Sequence, residues 1–174
     1  VMHLDHAGTR IHLIDTPGGA DFLGQSLPAL EAVETAAIVI NAATGIEPMA
    51  VRMMEYAASR HLDRLIVVNR IDAAPEKLPA LLEQIRATFG TECLPLNLPA
   101  DGGARVVDCF FNPGNTGEKV DFSSVAQAHR ALVEQVVEVD PGFVERYLEE
   151  GDVDPGELHA PLEQALREGH LIPI

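Results

Sequence analysis

Basic side chains are scarce: Lys and Arg total 12 against 27 Asp and Glu, a net charge of −15 in 174 residues. Such a surface repels phosphate backbones and anionic membranes, which excludes strong unaided binding to either and argues against sequence-specific contact with nucleic acid. Cysteine is nearly missing. Cys93 and Cys109 have neither a metal-ligand spacing nor a disulfide framework, so they read as small apolar residues in a reducing, cytoplasmic compartment. No apolar run is long enough to cross a bilayer, and Val1-Met2-His3-Leu4-Asp5-His6 lacks the charged and apolar regions of a signal peptide. Internal repeats and low-complexity tracts are also lacking.

What is present suits a globular unit, since 47% of the residues are hydrophobic, enough to bury a core. The opening and the last four residues, Leu171-Ile172-Pro173-Ile174, both read as strands, as expected of a segment cut from a longer protein. Val1–His6 and Thr9–Ile14 flank Ala7-Gly8 as a hairpin does, and the second run leads into Asp15. Helical spacing follows over Asp21–Val33, then a buried strand over Ala36–Ile40, and a helix over Pro48–Arg60 in which Met49, Met53 and Met54 fill the core. A strand over Leu65–Val68 and a helix over Glu76–Thr88 complete an alternation that predicts an α/β fold, a doubly wound sheet of mainly parallel strands. Such sheets bind ligands beyond the carboxyl ends of their strands, where Asp15, Asn41 and Asn69–Asp72 fall.

After Gly90 the pattern changes. Leu94–Leu98 and Arg105–Phe111 read as short strands around an Asp101-Gly102-Gly103 turn, and Asn112–Gly117 reads as a loop. Helices are predicted over Val125–Val139, Pro141–Glu150 and Pro155–Glu168. Residues 113–174 carry 13 acidic and 4 basic side chains, a net charge of −9 against −6 for the rest, and Cys93–His170 reads as an inserted acidic subdomain. The run Glu149, Glu150, Asp152 and Asp154 reads first as a solvated face. His3, His6 and His12 lie near one another in sequence, but His3 and His6 point to opposite faces of a strand and read as surface residues rather than metal ligands.

Two motifs carry chemistry. Asp15-Thr16-Pro17-Gly18 follows an apolar strand directly: a strand-end carboxylate can hold Mg²⁺ through water, and a Gly three residues on lets a backbone N–H approach a terminal phosphate closely. Asn69-Arg70-Ile71-Asp72 follows a second apolar strand and matches the guanine-reading pattern Asn-Lys-x-Asp with Arg for Lys. Asp72 would accept from the guanine ring N–H and amino group, Asn69 would tie the loop together, and the Arg70 stem could lie on the purine face. Each motif alone also suits an ordinary turn or helix cap, but both in order, each on its own strand end with one strand-helix unit between them, point to a GTPase fold.

The run from Arg10 through Asp15-Thr16-Pro17-Gly18-Gly19-Ala20-Asp21-Phe22 resembles the switch II region of elongation factor G, a translational GTPase. Asn41 to Pro48, with Gly45-Ile46-Glu47-Pro48 at its end, resembles the next strand and loop of that family. Arg105-Val106-Val107-Asp108 and the helix around Val144–Leu148 are similar to its extra subdomain, which sets the chain apart from the elongation factor Tu branch. The resemblance implies a partial P-loop NTPase-like core over residues 1–92, an inserted α+β subdomain over 93–170, and a returning core strand over 171–174. It also implies GTP or GDP with Mg²⁺ as cofactors, hydrolysis coupled to the ribosome in elongation or translocation, contact between the insertion and the ribosomal stalk protein, and a monomer. Release factor 3 and the tetracycline-type ribosomal protection proteins share these motifs. An aspartyl phosphatase would need a second Asp where Pro17 stands.

Departures from the family pattern carry implications of their own. Gly19 occupies the position of the family's catalytic His and has no side chain to orient water, so fast hydrolysis by the usual route is not expected, and a GTP-dependent ribosome-binding module without useful hydrolysis is the second reading. Pro28 falls within the switch II helix and predicts a kink or a restart near Ser26. Arg70 keeps the charge and stem of the usual Lys, so guanine preference should survive. No Gly-x-x-x-x-Gly-Lys-Ser/Thr occurs in the chain, so the stretch is expected to bind nucleotide weakly or not at all by itself.

Overall fold

Ala7 and Gly8 form the first turn with positive φ at both positions, 48° and 80°, the conformation that joins two strands whose right-handed twist must match. The hairpin they close pairs β1 (Met2–His6) with β2 (Thr9–Leu13) antiparallel, Asp5 lying opposite Arg10 and bonded to it at 2.9 Å. In the computed structural model, which describes residues 1–112, 114, 117–150 and 157–174, the chain divides into two compact units, Val1–Glu34 and Thr35–Ile174.

In the first unit, β2 stops at Leu13, one residue short of the expected end, where the ladder with β1 closes at Met2↔Leu13. A 3-10 turn over Ala20–Phe22 leads into α1 (Leu23–Leu30). The expected restart at Ser26 does not occur: α1 begins at Leu23 and runs through Pro28. Pro28 forfeits one backbone donor there, the one that would reach the Gly24 carbonyl.

The second unit opens with β3 (Thr35–Asn41) and β4 (Asp63–Asn69), parallel and in register from Thr35↔Asp63 to Asn41↔Asn69. The crossover between them is α2 (Pro48–Ser59), with Pro48 at the first turn, where its missing N–H costs nothing. Ile38 and Ile40 turn to the same face as Ile66, and there they meet Met54 of α2 with Leu81 and Ile85 of α3 (Leu78–Phe89). On the opposite face Val39 and Val67 are exposed. A 3-10 turn over Pro75–Lys77 precedes α3, which ends at Gly90.

Pro95 divides the single strand expected over Leu94–Leu98. It cannot donate to a ladder, and the chain changes partner around it. On one side β5 (Cys93–Leu94) pairs in parallel with β8 (Ile172–Pro173); on the other β6 (Asn97–Ala100) pairs antiparallel with β7 (Arg105–Asp108). β7 stops at Asp108 because that carboxylate takes the N–H groups of Phe110 and Phe111 at 2.9 and 3.1 Å, turning the chain out of the ladder. Three helices follow, α4 (Val125–Val137), α5 (Pro141–Glu150) and α6 (His159–Glu168). α4 is capped by Ser124, whose Oγ accepts from the Gln127 N–H at 3.1 Å. Val125, Ala128, Leu132 and Val136 of α4 share one stripe, and it meets Leu98, Leu162 and Leu171 in a second core. The expected loop at Asn112–Gly117, the acidic pair Asp152 and Asp154, and the first residues of the helix expected from Pro155 lie wholly or partly outside the described residues.

Parallel strands joined by helices, with an antiparallel pair and helices between β5 and β8, make this an α/β protein with a partial P-loop NTPase-like fold. Cys93 and Cys109 are both buried and free, and burial pushes each thiol from 9.0 up to about 11. Among the described residues no helix is long and apolar enough to cross a membrane.

Candidate functional site

In the first unit the segment after β2 carries Asp15, Gly18 and Gly19, all of them exposed and outside regular structure. Its shape is held from below by Ser26. This hydroxyl, 2% exposed, donates to the Pro17 carbonyl at 2.9 Å and so ties Asp15-Thr16-Pro17-Gly18 to the first turns of α1. The motif reading overlooks Ser26, although a serine among the inward positions of a short apolar helix, nine residues past Pro17, is the available signal. A Cβ at Gly18 would meet nothing within 4 Å. Gly19 has ordinary extended dihedrals, φ −78° and ψ 144°, and its carbonyl accepts from the Phe22 N–H at 3.0 Å to open the 3-10 turn. The Phe22 ring lies 3.3 Å from where a Cβ would stand.

In the second unit the carboxyl ends of β3 and β4 form one platform. Asn41 and Asn69 are register partners, the Asn69 carbonyl accepts from the Ala42 N–H at 2.9 Å, and the Asn41 side chain accepts from the Ala43 N–H at 2.9 Å. The Lys77 ammonium donates to the Ala43 carbonyl at 3.0 Å, joining this loop to the start of α3. Asn69 Oδ1 accepts from the Arg70 N–H at 2.9 Å. That bond fixes the peptide plane leading into Arg70, which itself stands in the left-handed region, φ 57°, where a non-glycine residue is strained. Ile71–Ala73 then forms a 3-10 turn closed by the Ala73 N–H on the Arg70 carbonyl at 3.1 Å. Asp72 stands exposed on that turn, and among the described residues nothing hydrogen-bonds its carboxylate. An acceptor-only group so presented suits paired N–H donors of a base.

His3 and His12 are cross-strand partners with ring centroids 6.1 Å apart, while His6 lies opposite Thr9. Among the described residues no group of three or more His, Cys, Asp or Glu side chains is arranged to hold a metal ion. Asp15 offers a single exposed carboxylate, which fits a cation held through water rather than a protein cage.

Residues 1–166 match the family model of the elongation factor Tu GTP binding domain. The elongation factor G-like protein of Mycobacterium tuberculosis is 28% identical over 184 residues, covering 100% of this chain and 26% of that protein. Peptide chain release factor 3 of Symbiobacterium thermophilum is 28% identical over 181 residues, covering 89% of this chain and 34% of its own length. The chain therefore spans between a quarter and a third of these curated relatives. A crystal structure of a Thermus thermophilus protein superimposes with a TM-score of 0.83 at 32% identity, over 98% of this chain and 28% of that one. With the model matching nearly the whole chain, the protein belongs to the translational GTPases, the family of the elongation factor Tu GTP-binding domain.

Proposed function

We propose that this chain is the switch II and guanine-reading part of a translation factor whose GTP hydrolysis is coupled to its action on the ribosome. The observation that carries the reading is the loop after β4, where Asn69 braces Arg70 and leaves the Asp72 carboxylate open to solvent. Asp72 accepts from the guanine ring N–H and amino group, a pairing adenine cannot make, and the Arg70 stem covers the purine face. In the first unit Asp15 holds Mg²⁺ through water and Gly18 presents its N–H to the terminal phosphate, with no Cβ in the way. Mg²⁺, when bound, neutralises charge building on the phosphates. Residues 1–92 form the GTPase core, 93–170 the inserted acidic subdomain and 171–174 the returning strand. The insertion suits a basic ribosomal partner or the stalk protein, and the protein acts as a cytoplasmic monomer.

Gly19 favours a second reading. With no side chain at this position to orient water, the protein uses GTP to occupy the ribosome rather than to turn over. A release factor 3-like role has the same 28% identity behind it as an elongation factor G-like one. GTP hydrolysis by the full-length protein, measured with and without ribosomes, separates these. Ribosome-stimulated turnover that disappears with Asp72→Asn supports the GTPase; tight GTP binding with background turnover supports the binding module; no GTP binding sinks both.

A further inference from the structure

Between β6 and β7, Asp101, Gly102 and Gly103 adopt three successive left-handed conformations, φ 56°, 69° and 81°. The turn directs the Gly102 and Gly103 N–H groups to the same side, where a turn of consecutive donors can hold an anion. The anion is supplied by the chain itself. Asp121 Oδ1 accepts from the Gly102 N–H and Oδ2 from the Gly103 N–H, each at 3.0 Å, while the Asp121 N–H donates to the Pro99 carbonyl at 2.8 Å. A bond of 2.6 Å between Arg105 Nε and the Asp101 carboxylate fixes the outer side of the turn.

What the turn presses on is the guanine-reading loop. A Cβ on Gly103 would stand 2.7 Å from the Ile71 carbonyl oxygen and 2.8 Å from the Asp72 backbone nitrogen. Both are backbone atoms, which cannot swing aside as a side chain can, so only glycine lets the two loops meet this closely. Ile71–Ala73 is a single 3-10 turn with no side-chain cap of its own. Its far side is therefore set by a turn that a residue 49 positions further along the chain holds in shape.

We propose that Asp121 and Gly103 are positioning residues for guanine recognition: the Asp121 carboxylate folds the Gly102-Gly103 turn, and the turn in contact with the Ile71–Asp72 backbone fixes where the Asp72 carboxylate points. The inserted subdomain thereby sets base specificity in the core it interrupts. This rests on Asp72 reading guanine as described above.

The test compares GDP and IDP binding by the full-length protein, since IDP lacks the amino group that Asp72 accepts from. In Gly103→Ala and in Asp121→Asn, GDP should bind roughly tenfold more weakly and the preference for GDP over IDP should narrow, because a displaced Asp72 loses charge-assisted hydrogen bonds. Ser124→Ala, which weakens only the α4 cap three residues beyond Asp121, serves as the comparison for general destabilisation and should leave the preference unchanged. Native preference in a folded Asp121→Asn protein overturns the proposal, and so does a narrowing that Ser124→Ala reproduces. If Gly103→Ala does not fold, Asp121→Asn decides. If the native protein shows no preference for GDP over IDP, the guanine reading of Asp72 has itself failed and the proposal falls with it, a result distinct from native preference kept by the variants.

Discussion

Asn41 and Asn69 are register partners at the last rung of the β3–β4 ladder, and each spends its side-chain oxygen on the N–H of a residue just beyond its own strand end. The two acceptors start the two loops of the platform in fixed directions. The Asn69 bond matters more, because it sets the peptide that leads into Arg70, φ 57°, and on to Asp72.

Asn69→Ala should therefore cost roughly 1 kcal/mol in stability from the lost hydrogen bond. It should also weaken guanine-nucleotide binding, as the peptide leading into Arg70 loses the bond that sets the loop's direction. Urea denaturation and nucleotide titration of the same variant check both. Unchanged binding with lowered stability would reduce Asn69 to a strand-end brace.

Asp72→Asn replaces an acceptor pair by one acceptor and one donor, the wrong pattern for the guanine ring N–H and amino group. Losing charge-assisted bonds of this kind costs roughly 1.5–3 kcal/mol, so GDP affinity should fall by about tenfold to a hundredfold. Xanthine carries a carbonyl where guanine has its amino group, and the new amide can donate to it. Binding of xanthosine diphosphate should rise as GDP binding falls, and competition titration with the two nucleotides reads this directly.

Local chemistry made the platform and the hairpin legible. Ala7-Gly8 between two alternating runs permits few geometries, and an apolar strand followed by Asn-Arg-x-Asp names its own loop. Partnership was harder to read. Nothing within Leu94–Leu98 says that Cys93-Leu94 pairs with Ile172-Pro173 while Asn97–Ala100 pairs with Arg105–Asp108, since the partners are distant in sequence and only Pro95 hints at the change. Of the kink or restart expected at Pro28, the restart did not occur: helix propensity is a weak prior beside the anchor supplied by Ser26 on Pro17. Asp121 carries no motif at all, because its role is to fill a turn folded elsewhere in the chain.

Cys93 and Cys109 should make the fold sensitive to alkali. Burial favours the neutral thiol, so both groups hold their proton more tightly in the folded protein, about 11 against 9.0. The folded state then binds more protons than the unfolded one above pH 9, and stability falls with rising pH. The contribution is complete below about pH 9 and is lost progressively as pH climbs toward 11. Thermal unfolding from pH 8 to 11 should show a decline that Cys93→Ala with Cys109→Ser makes shallower, and a thiol reagent at pH 8 should label neither cysteine until the protein unfolds.

Gly19→His should be tolerated by the fold and is the sharpest probe of turnover. The backbone at Gly19 is extended, φ −78° and ψ 144°, which any residue adopts without strain. A new Cβ meets only the Phe22 ring at 3.3 Å, and Phe22 is itself exposed, so the ring can give way by a few tenths of an ångström. Thermal stability should therefore change by no more than about 0.5 kcal/mol, the usual range for a surface substitution. A positioned general base or water-orienting side chain typically contributes about 10²–10⁴-fold. If the native protein turns over slowly for want of that side chain, ribosome-stimulated hydrolysis should rise by a factor in that range with little change in GTP affinity. Equal rates in the two proteins would mean that another group already orients the water, and the reading of Gly19 as the cause of slow turnover would then be abandoned.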